Sequence, residues 1–254
     1  MSRSHNVRYD MKRIVESAML NRLPRLYTFL TSSARYWAYY HLRMVHEPEF
    51  RTLRQYTRLK SPLVLDIGAN RGQSILSIMR TFPTAQVISF EPNLMNTDAL
   101  CRVADHFPGR VSVERVALSD IDGEEPLFWP VYNGQPLSTL ASFDITAAGS
   151  WLADNMPWFD PEKLKVEHVS VVAKRLDSLN LRPDIIKIDV EGSESRVIQG
   201  GLATIEACRP IIMAESLDSE ALDALRLFKY RAVGSPADMR RARIVVSDVI
   251  AMQS

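Results

Sequence analysis

The sequence predicts an α/β fold in which a mostly parallel β-sheet is flanked by helices and preceded by a helical extension. Short apolar runs alternate with segments of helical periodicity over residues 61–254, and this alternation is typical of a parallel sheet with right-handed crossovers. The composition agrees, since 46% hydrophobic and 24% charged residues are ordinary for a globular domain. A chain of 254 residues can form a domain that buries enough surface to be stable without a metal or a disulfide.

Residues 1–60 are predicted to form a basic helical extension, and residues 61–254 the main domain. No glycine occurs between residues 9 and 60, and Pro24 and Pro48 are expected to divide the extension into two or three helices. The extension holds 12 Lys and Arg against 4 Asp and Glu, whereas the rest of the chain holds 19 against 26. This basic segment, with its aromatic group at residues 36–40, is expected to contact the protein core, a second copy of the chain or a membrane surface.

The elements of the main domain follow in a regular order. A buried strand at 63–67 leads into a helix at 72–82, and a strand at 86–90 leads into a helix after Pro92. The later elements are a strand at 111–116, an insertion at 121–165, a strand at 184–190, a helix ending at Ala207, a strand at 210–214, a helix at 222–228 and an edge pair of strands at 230–233 and 243–251. The insertion contains Trp129, Trp151 and Trp158, and long insertions usually form lids or substrate walls.

The turn after the first strand is predicted to bind a ligand through Asp66, Gly68, Asn70 and Gly72. Gly68 permits a sharp turn, and Gly72 leads into a helix whose exposed amide groups point at the ligand. An acidic residue stands before the glycines, whereas a dinucleotide-binding protein would show G-x-G-x-x-G. The motif therefore suits a cationic ligand with an amino-acid tail, and Asp66 would complement its charge.

Two further turns are predicted to complete this ligand site. Glu91 ends the second strand at close to the spacing from Gly72 at which a carboxylate meets the two hydroxyls of a ribose, and Asn93 follows it. Ala117 and Leu118 follow the third strand, where backbone groups and apolar surface would face a nucleobase.

Acidic residues also follow the later strands. Lys187, Asp189 and Glu191 alternate onto one side of the strand at 184–190, and Glu215 ends the next strand. One interpretation is a buried ion pair between Lys187 and Asp189. The other is that Asp189, Glu191 and Glu215 surround a reaction site. The sequence predicts no metal there, because no ligand spacing requires one, although Asp189 and Glu191 offer oxygen ligands for a divalent cation.

Several segments together resemble the FkbM-type methyltransferases, many of which are S-adenosylmethionine-dependent O-methyltransferases of sugars and natural products. The matching text is VLDIGANRGQS at 64–74, ISFEPN at 88–93, VALSD at 116–120, RLDSL at 175–179, DIIKIDVEGSESRVIQGG at 184–201 and RPIIMAES at 209–216. The segment Ser138-Thr139-Leu140 is similar to the family's usual Ser-Ser-Leu. Arg115 departs from the family's frequent Asn, and residues 1–60 have no counterpart.

This resemblance implies a Rossmann-like class I methyltransferase sheet that binds S-adenosylmethionine, with Glu91 on the ribose. It also implies methylation of a hydroxyl on a sugar, glycan or natural product. Asp189, Glu191 and Glu215 are the candidate catalytic residues, with Asp189 preferred as the general base. His168 is a further candidate, although we expect it to be a packed or exposed strand residue. The tryptophans of the insertion would either stack on a sugar ring or pack the insertion itself.

Two other functions stay open at this point. A nicotinamide-dependent oxidoreductase would share the acidic residue after the second strand, but its glycine motif is missing. A catalytically silent protein of the same fold, which binds during membrane or glycan assembly, would account for the basic extension. The expected partners are a small-molecule or glycan acceptor and, for residues 1–60, a membrane or a second copy, with no nucleic acid. Without a long apolar run or signal segment, a cytoplasmic location is expected.

Overall fold

The computed structural model describes residues 11–30, 49–215, 217–233 and 243–247, which form two β-sheets with surrounding helices. The larger sheet contains β1 (Leu63–Ile67), β2 (Gln86–Phe90), β3 (Val111–Glu114), β8 (Ile185–Ile188), β9 (Ile211–Ala214), β10 (Tyr230–Val233) and β11 (Arg243–Ser247). Their order is β10-β11-β9-β8-β1-β2-β3, and among these seven described strands only β11 runs antiparallel to its neighbours. The predicted α/β sheet with an edge pair is confirmed.

The strand order places a ligand-binding crevice between β1 and β8. The chain runs from β1 outward through β2 to β3, and then returns to the other side of β1 at β8. β1 and β8 are parallel neighbours, with Asp66 opposite Lys187 in the register. Ligands of open α/β sheets bind beyond the carboxyl ends of the strands at such a reversal of order. The turns that follow β1 and β8 therefore face one another.

Helices cover both faces of the larger sheet, which explains why its central strands are apolar without interruption. Val64 and Ile185 pack on one face with α3 (Glu49–Leu53), α4 (Gln73–Thr81) and α5 (Leu94–Ala104). Leu65 and Ile186 pack on the other face with α7 (Glu194–Gln199), α8 (Leu202–Cys208) and α9 (Ser219–Leu227). Successive residues of one strand thus enter two separate cores.

The insertion at 121–165 and the segments on either side of it form a second, four-stranded sheet. Its strands are β4 (Ala117–Leu118), β5 (Gly123–Tyr132), β6 (Gln135–Pro136) and β7 (Leu164–Lys174), in the order β4-β7-β5-β6, and α6 (Ile145–Asn155) lies between β6 and β7 in the chain. β5 and β7 pair antiparallel along their whole length. The sequence analysis expected a strand residue at His168 of β7 but did not predict β5, because Pro126 and Pro130 interrupt it and prolines are typical of loops and edge strands.

The first helices, α1 (Met11–Arg22) and α2 (Pro24–Phe29), pack on this second sheet. Leu20 is buried beside Tyr132, and the Tyr132 hydroxyl donates a hydrogen bond to the Asn21 side chain at 3.1 Å. α3 instead joins the core of the larger sheet. The aromatic group at residues 36–40 lies outside the described residues, and the domain boundary at residue 60 stays a prediction. No described helix is both long and apolar enough to cross a bilayer.

The helix predicted to end at Ala207 is broken into α7 and α8 by Gly200 and Gly201. A Cβ atom at Gly200 would lie 1.9 Å from the backbone oxygen of Ser119. The break therefore lets the turn after β4 approach the helices closely, which ties the second sheet to the larger one. α9 begins three residues earlier than predicted, because Asp218 caps it by accepting a hydrogen bond from the Ala221 amide.

We predict that Gly200→Ala lowers the free energy of unfolding by about 1–3 kcal/mol, because the methyl group overlaps backbone that cannot move freely. Gly149→Ala on α6 is the matched control, since its Cβ would meet side chains at an ordinary 3.8 Å. That control should gain about 0.5–1 kcal/mol from helix propensity. Urea denaturation of both variants measures the change in the free energy of unfolding. Equal changes in the two variants would show that the backbone at Ser119 can move away from a side chain at position 200.

Candidate active site

A cleft of about 610 Å³, measured to its open mouth, lies at the carboxyl ends of β1, β2 and β8. Gly68, Asn70, Glu91, Asp189 and Glu191 supply the polar lining from the larger sheet. Apolar lining comes from Phe90 and Val116 and, in the second sheet, from Ala117, Leu118 and Leu127. The segment after β6 adds Ser138, Thr139, Ala141, Ser142 and Phe143. Residues of both sheets thus form one cleft.

The two glycines of the first motif are needed for contacts inside the protein. Gly68 has φ +77°, and a Cβ there would lie 1.8 Å from the carbonyl oxygen of Asp189. Gly72 has φ +88°, and its Cβ would lie 2.9 Å from Val103 on α5. Any other residue at position 68 would push the turn away from the end of β8. The turn after β1 is therefore held against β8, and it lines the cleft from there.

Lys187 connects these two chain segments. Its ammonium group donates a hydrogen bond to the Gly68 carbonyl at 2.9 Å and lies 3.4 Å from Asp66 Oδ1 and 3.3 Å from Asp189 Oδ2. The Lys187 side chain is 3% exposed, so these oxygen atoms replace the water it loses on burial. Asp189 pairs with Lys187, as one interpretation of the acidic strand predicted, and it also lines the cleft. A reaction site at these carboxylates stays a prediction.

Asp66 lies beneath the turn and not among the residues that line the cleft. It is fully buried and accepts hydrogen bonds from the Ser74 hydroxyl at 2.7 Å and the Ser89 hydroxyl at 3.4 Å. With Lys187, these contacts join β1, β2, β8 and α4 at one point. The structure thus places Asp66 as a support of the turn, and the direct contact with a ligand stays a prediction. Gly72 likewise lies outside the lining.

Glu91 joins the first two turns through both of its carboxylate oxygens. Oε2 accepts a hydrogen bond from the Asn70 amide and Oε1 from the Asn93 amide, each at 2.8 Å. Burial raises the pKa of Glu91, while these amides, the Asn96 side chain and the charge of Lys187 act in the opposite direction. A carboxylate has about four acceptor positions, so Glu91 keeps capacity for donors in the cleft.

Asn96 is a site residue that the sequence reasoning missed, whereas Ser138 belongs to the segment that the family resemblance pointed to. The Ser138 hydroxyl donates to Asn96 Oδ1 at 2.9 Å, and the Asn96 side chain hydrogen-bonds to Glu91. Asn93 caps α5 and reaches the Ser138 carbonyl with its side-chain amide at 3.4 Å. Asn93 therefore supports the site from behind and does not line it. The similarity of residues 138–140 to a family segment was the only signal for this connection.

The predicted catalytic carboxylates come together at the end of the cleft beyond β8 and β9. Asp189, Glu191 and Glu215 each offer an oxygen atom, and these atoms lie within 4.8 Å of one another. Desolvation and the charges of Asp189 and Glu194 raise the pKa of Glu191 to about 7. Desolvation, a hydrogen bond with Asp189 and nearby negative charges raise the pKa of Glu215 to about 8. We call these three residues the acidic trio. A divalent cation would find oxygen ligands there, and the predicted absence of a metal stays a prediction.

Comparison with known proteins identifies the family. A family model described as the methyltransferase FkbM domain matches residues 66–233. The chain belongs to the FkbM methyltransferase family. It is 31% identical over 166 residues to the 2-O-methyltransferase NoeI of Sinorhizobium fredii, covering 63% of this chain and 65% of that protein. A 29% match covers 54% of this chain and 8% of the AMB antimetabolite synthetase AmbE of Pseudomonas aeruginosa. The chain thus spans less than two thirds of the curated relatives that it matches.

The fold agrees with that of a solved member of the FkbM family. A crystal structure of methyltransferase FkbM from Methylobacillus flagellatus aligns with a TM-score of 0.51 at 16% identity, over 79% of this chain and 48% of the other. At this identity the similarity shows that the two proteins share the Rossmann-like methyltransferase fold. It does not extend to the substrate. S-adenosylmethionine is the usual cofactor of methyltransferases with this fold.

Some residues that the sequence singled out do not reach the cleft of this FkbM-family chain. His168 is an exposed residue of β7 whose ring lies 5.6 Å from that of Phe128, so the expectation of a strand residue is confirmed. Trp129, Trp151 and Trp158 are absent from the lining, and Trp151 and Trp158 are 46% and 67% exposed. The aromatic rings that do line the cleft belong to Phe90 and Phe143.

The acidic trio predicts a pH dependence of stability. The pKa values of Glu191 and Glu215 are raised in the folded chain. Between the ordinary pKa of glutamate and about pH 8, the folded chain therefore binds protons at these residues that the unfolded chain has released. The free energy of unfolding should therefore fall as the pH rises through this window. Glu191→Gln and Glu215→Gln should each reduce that fall, because the amide does not titrate.

Urea denaturation at about pH 5, 7 and 9 measures this dependence. Glu206→Gln is the control, since Glu206 is an exposed residue of α8 that does not line the cleft. It should leave the pH dependence of the parent chain unchanged. An equal slope in the parent and in both trio variants would contradict the assignment of the raised pKa values.

Proposed function

We propose that this chain is an S-adenosylmethionine-dependent O-methyltransferase that acts on a hydroxyl group of a sugar or glycan. One observation carries the proposal: the cleft at the reversal of strand order combines the carboxylate of Glu91, which would accept hydrogen bonds from a ribose, with Asp189 and Glu191 of the acidic trio, which would suit a cation. A nucleoside with a positively charged group next to its ribose matches both features. Family membership supplies the methyl transfer.

The residues present fit this cofactor. The Asn70 Oδ1 atom is buried in the turn and has no hydrogen-bond partner, so it can accept a hydrogen bond from a ligand. Glu91 would hold the ribose hydroxyls, and Val116, Ala117, Leu118 and Leu127 provide an apolar wall for the nucleobase. Near these residues the net charge is negative, because the ammonium group of Lys187 faces two carboxylates, those of Asp66 and Asp189. A dinucleotide with its pyrophosphate would be repelled here.

When bound, this cofactor supplies an activated methyl group for in-line displacement by an acceptor oxygen. The chain contributes the position of the two reactants, which supplies up to about 7–11 kcal/mol in the best intramolecular systems. The turn at Gly68 fixes one side of the cleft, and the segment from Ser138 to Phe143 fixes the other. The second sheet excludes water from this side and faces the acceptor.

The acidic trio would take the proton of the acceptor hydroxyl. Asp189 is the preferred base because it lines the cleft and Lys187, 3.3 Å away, holds its carboxylate in place. Glu191 and Glu215, whose raised pKa values keep protons near neutral pH, act with it as one coupled group. The proton of the hydroxyl can then pass through this group to solvent, since Glu191 and Glu215 are exposed.

The sugar or glycan acceptor is supported by one relative. NoeI, 31% identical to this chain, is named a 2-O-methyltransferase. Phe143 offers a ring in the cleft on which a sugar face can stack, in place of the tryptophans suggested by the sequence. Arg196 lies over Phe143 with its guanidinium carbon 5.9 Å from the ring centre, which holds this ring in position.

We expect S-adenosylhomocysteine to bind the full chain in isothermal titration calorimetry, and NAD not to bind. Glu91→Ala should weaken this binding at least tenfold, because a hydrogen bond to a charged group contributes about 1.5–3 kcal/mol. Glu91→Gln keeps the shape of the side chain and should also lose affinity. Circular dichroism verifies that both variants are folded. Unchanged affinity in a folded Glu91 variant would exclude Glu91 from the cofactor site.

Asp189→Asn should lower kcat by about 10²–10⁴-fold while the dissociation constant of S-adenosylhomocysteine changes little, because a general base acts in the chemical step. Transfer of a labelled methyl group to an extract of glycan precursors measures this. Glu220→Gln on α9, an exposed residue outside the cleft, should leave kcat unchanged. Label found only in protein or in nitrogen-containing small molecules would reject the sugar acceptor.

A further inference from the structure

The helices α1 and α2 pack against the second sheet with one side, and they also expose apolar side chains to solvent. Leu20 and Tyr27 pack on the second sheet, and the Ser17 hydroxyl donates to the carbonyl of Pro157. On the opposite side of α1, Met11 and Val15 are one helical turn apart and are 73% and 49% exposed. Leu23 just before α2, Leu26 within it and Leu30 just after it are 55%, 44% and 40% exposed. We call these five residues the outer face.

Two exposed tryptophans flank this helical pair. Trp151 on α6 lines a groove with Arg13 and Leu20 of α1. Trp158 lies next to α1, because its carbonyl oxygen accepts a hydrogen bond from the Asn21 side chain at 3.5 Å. Neither indole enters the cleft of the main domain. Exposed indole rings beside leucine side chains are typical of surfaces that enter the headgroup region of a bilayer.

The outer face is also basic. Arg22 and Arg25 are exposed between its leucines, and neither has an acidic partner in the described parts of the chain. The sequence of residues 11–30 contains four basic residues and one acidic residue, Glu16. The whole extension carries the excess of 12 Lys and Arg over 4 Asp and Glu. An anionic partner would therefore be attracted to this surface.

We propose that the outer face docks the protein on a membrane surface with anionic headgroups. Leucine, methionine and tryptophan side chains would enter the interface, and Arg22 and Arg25 would contact the headgroups. A second copy of the chain is a poorer occupant, because a twofold contact brings the same patch onto itself and sets its arginines against each other. The proposal is independent of methyl transfer, and each can fail without the other.

Sedimentation of the full chain with lipid vesicles tests this docking. The protein should sediment with phosphatidylcholine vesicles that contain about a quarter phosphatidylglycerol, and at least about tenfold less with phosphatidylcholine alone. The double variant Arg22→Glu, Arg25→Glu should lose at least about tenfold in apparent affinity for the anionic vesicles. Leu23→Gln with Leu26→Gln should also weaken binding, because the apolar contribution is removed.

The matched control is Arg182→Glu with Arg226→Glu, which changes the same charge at two exposed arginines outside the extension. It should bind within about twofold of the parent chain, because charges further than a Debye length from the surface are screened. Equal losses in both double variants would overturn the proposal, as would no sedimentation of the folded parent with anionic vesicles. A dimer in analytical ultracentrifugation that Leu23→Gln, Leu26→Gln dissociates, without vesicle binding, would instead assign the face to a second copy.

Discussion

The buried ammonium group of Lys187 fixes the end of the larger sheet on which the cleft depends. A buried cation without partners is strongly unfavourable, and here three oxygen atoms from β1, from its turn and from beyond β8 surround it. Asp66 and Lys187 are opposite each other in the register, so the pair also aligns the two strands. The Gly68 carbonyl can only reach Lys187 because position 68 has no side chain to meet the Asp189 carbonyl. Charge, register and glycine thus specify one geometry of the turn.

This geometry separates two kinds of carboxylate. Asp66 and Glu91 are buried and occupied with hydrogen bonds inside the protein, so they hold the turns in place. The acidic trio lies toward solvent, and desolvation together with the neighbouring negative charges raises the pKa values of Glu191 and Glu215. The second sheet connects to both, since Ser138 is linked to Glu91 through Asn96, and the Ser142 hydroxyl donates to the Glu191 carbonyl at 3.1 Å. An acceptor bound against residues 138–143 would therefore be positioned relative to the cofactor.

The sequence predicted the structure best at positions where the residue type allows few local conformations. Short apolar runs predicted β1 and β2 at their observed bounds, and the segments that follow the strands contained Gly68, Glu91, Asp189 and Glu191, which line the cleft. It was least informative where contacts join distant segments. No local pattern shows that Asp66 faces Lys187 and not the cleft, or that Asn96 meets Ser138 from the insertion. β5 of the insertion was missed because its prolines hide the alternation of the strand.

The central claim is that the turn at Gly68 and the carboxylate of Glu91 together hold an adenosyl group with its sulfur toward the acidic trio. A crystal structure of the protein with S-adenosylhomocysteine tests this most directly. We expect both ribose hydroxyls within hydrogen-bond distance of Glu91, the adenine against Ala117 and Leu118, and the sulfur on the side of Asp189. A ligand bound outside this cleft, or with its ribose away from Glu91, would contradict the account.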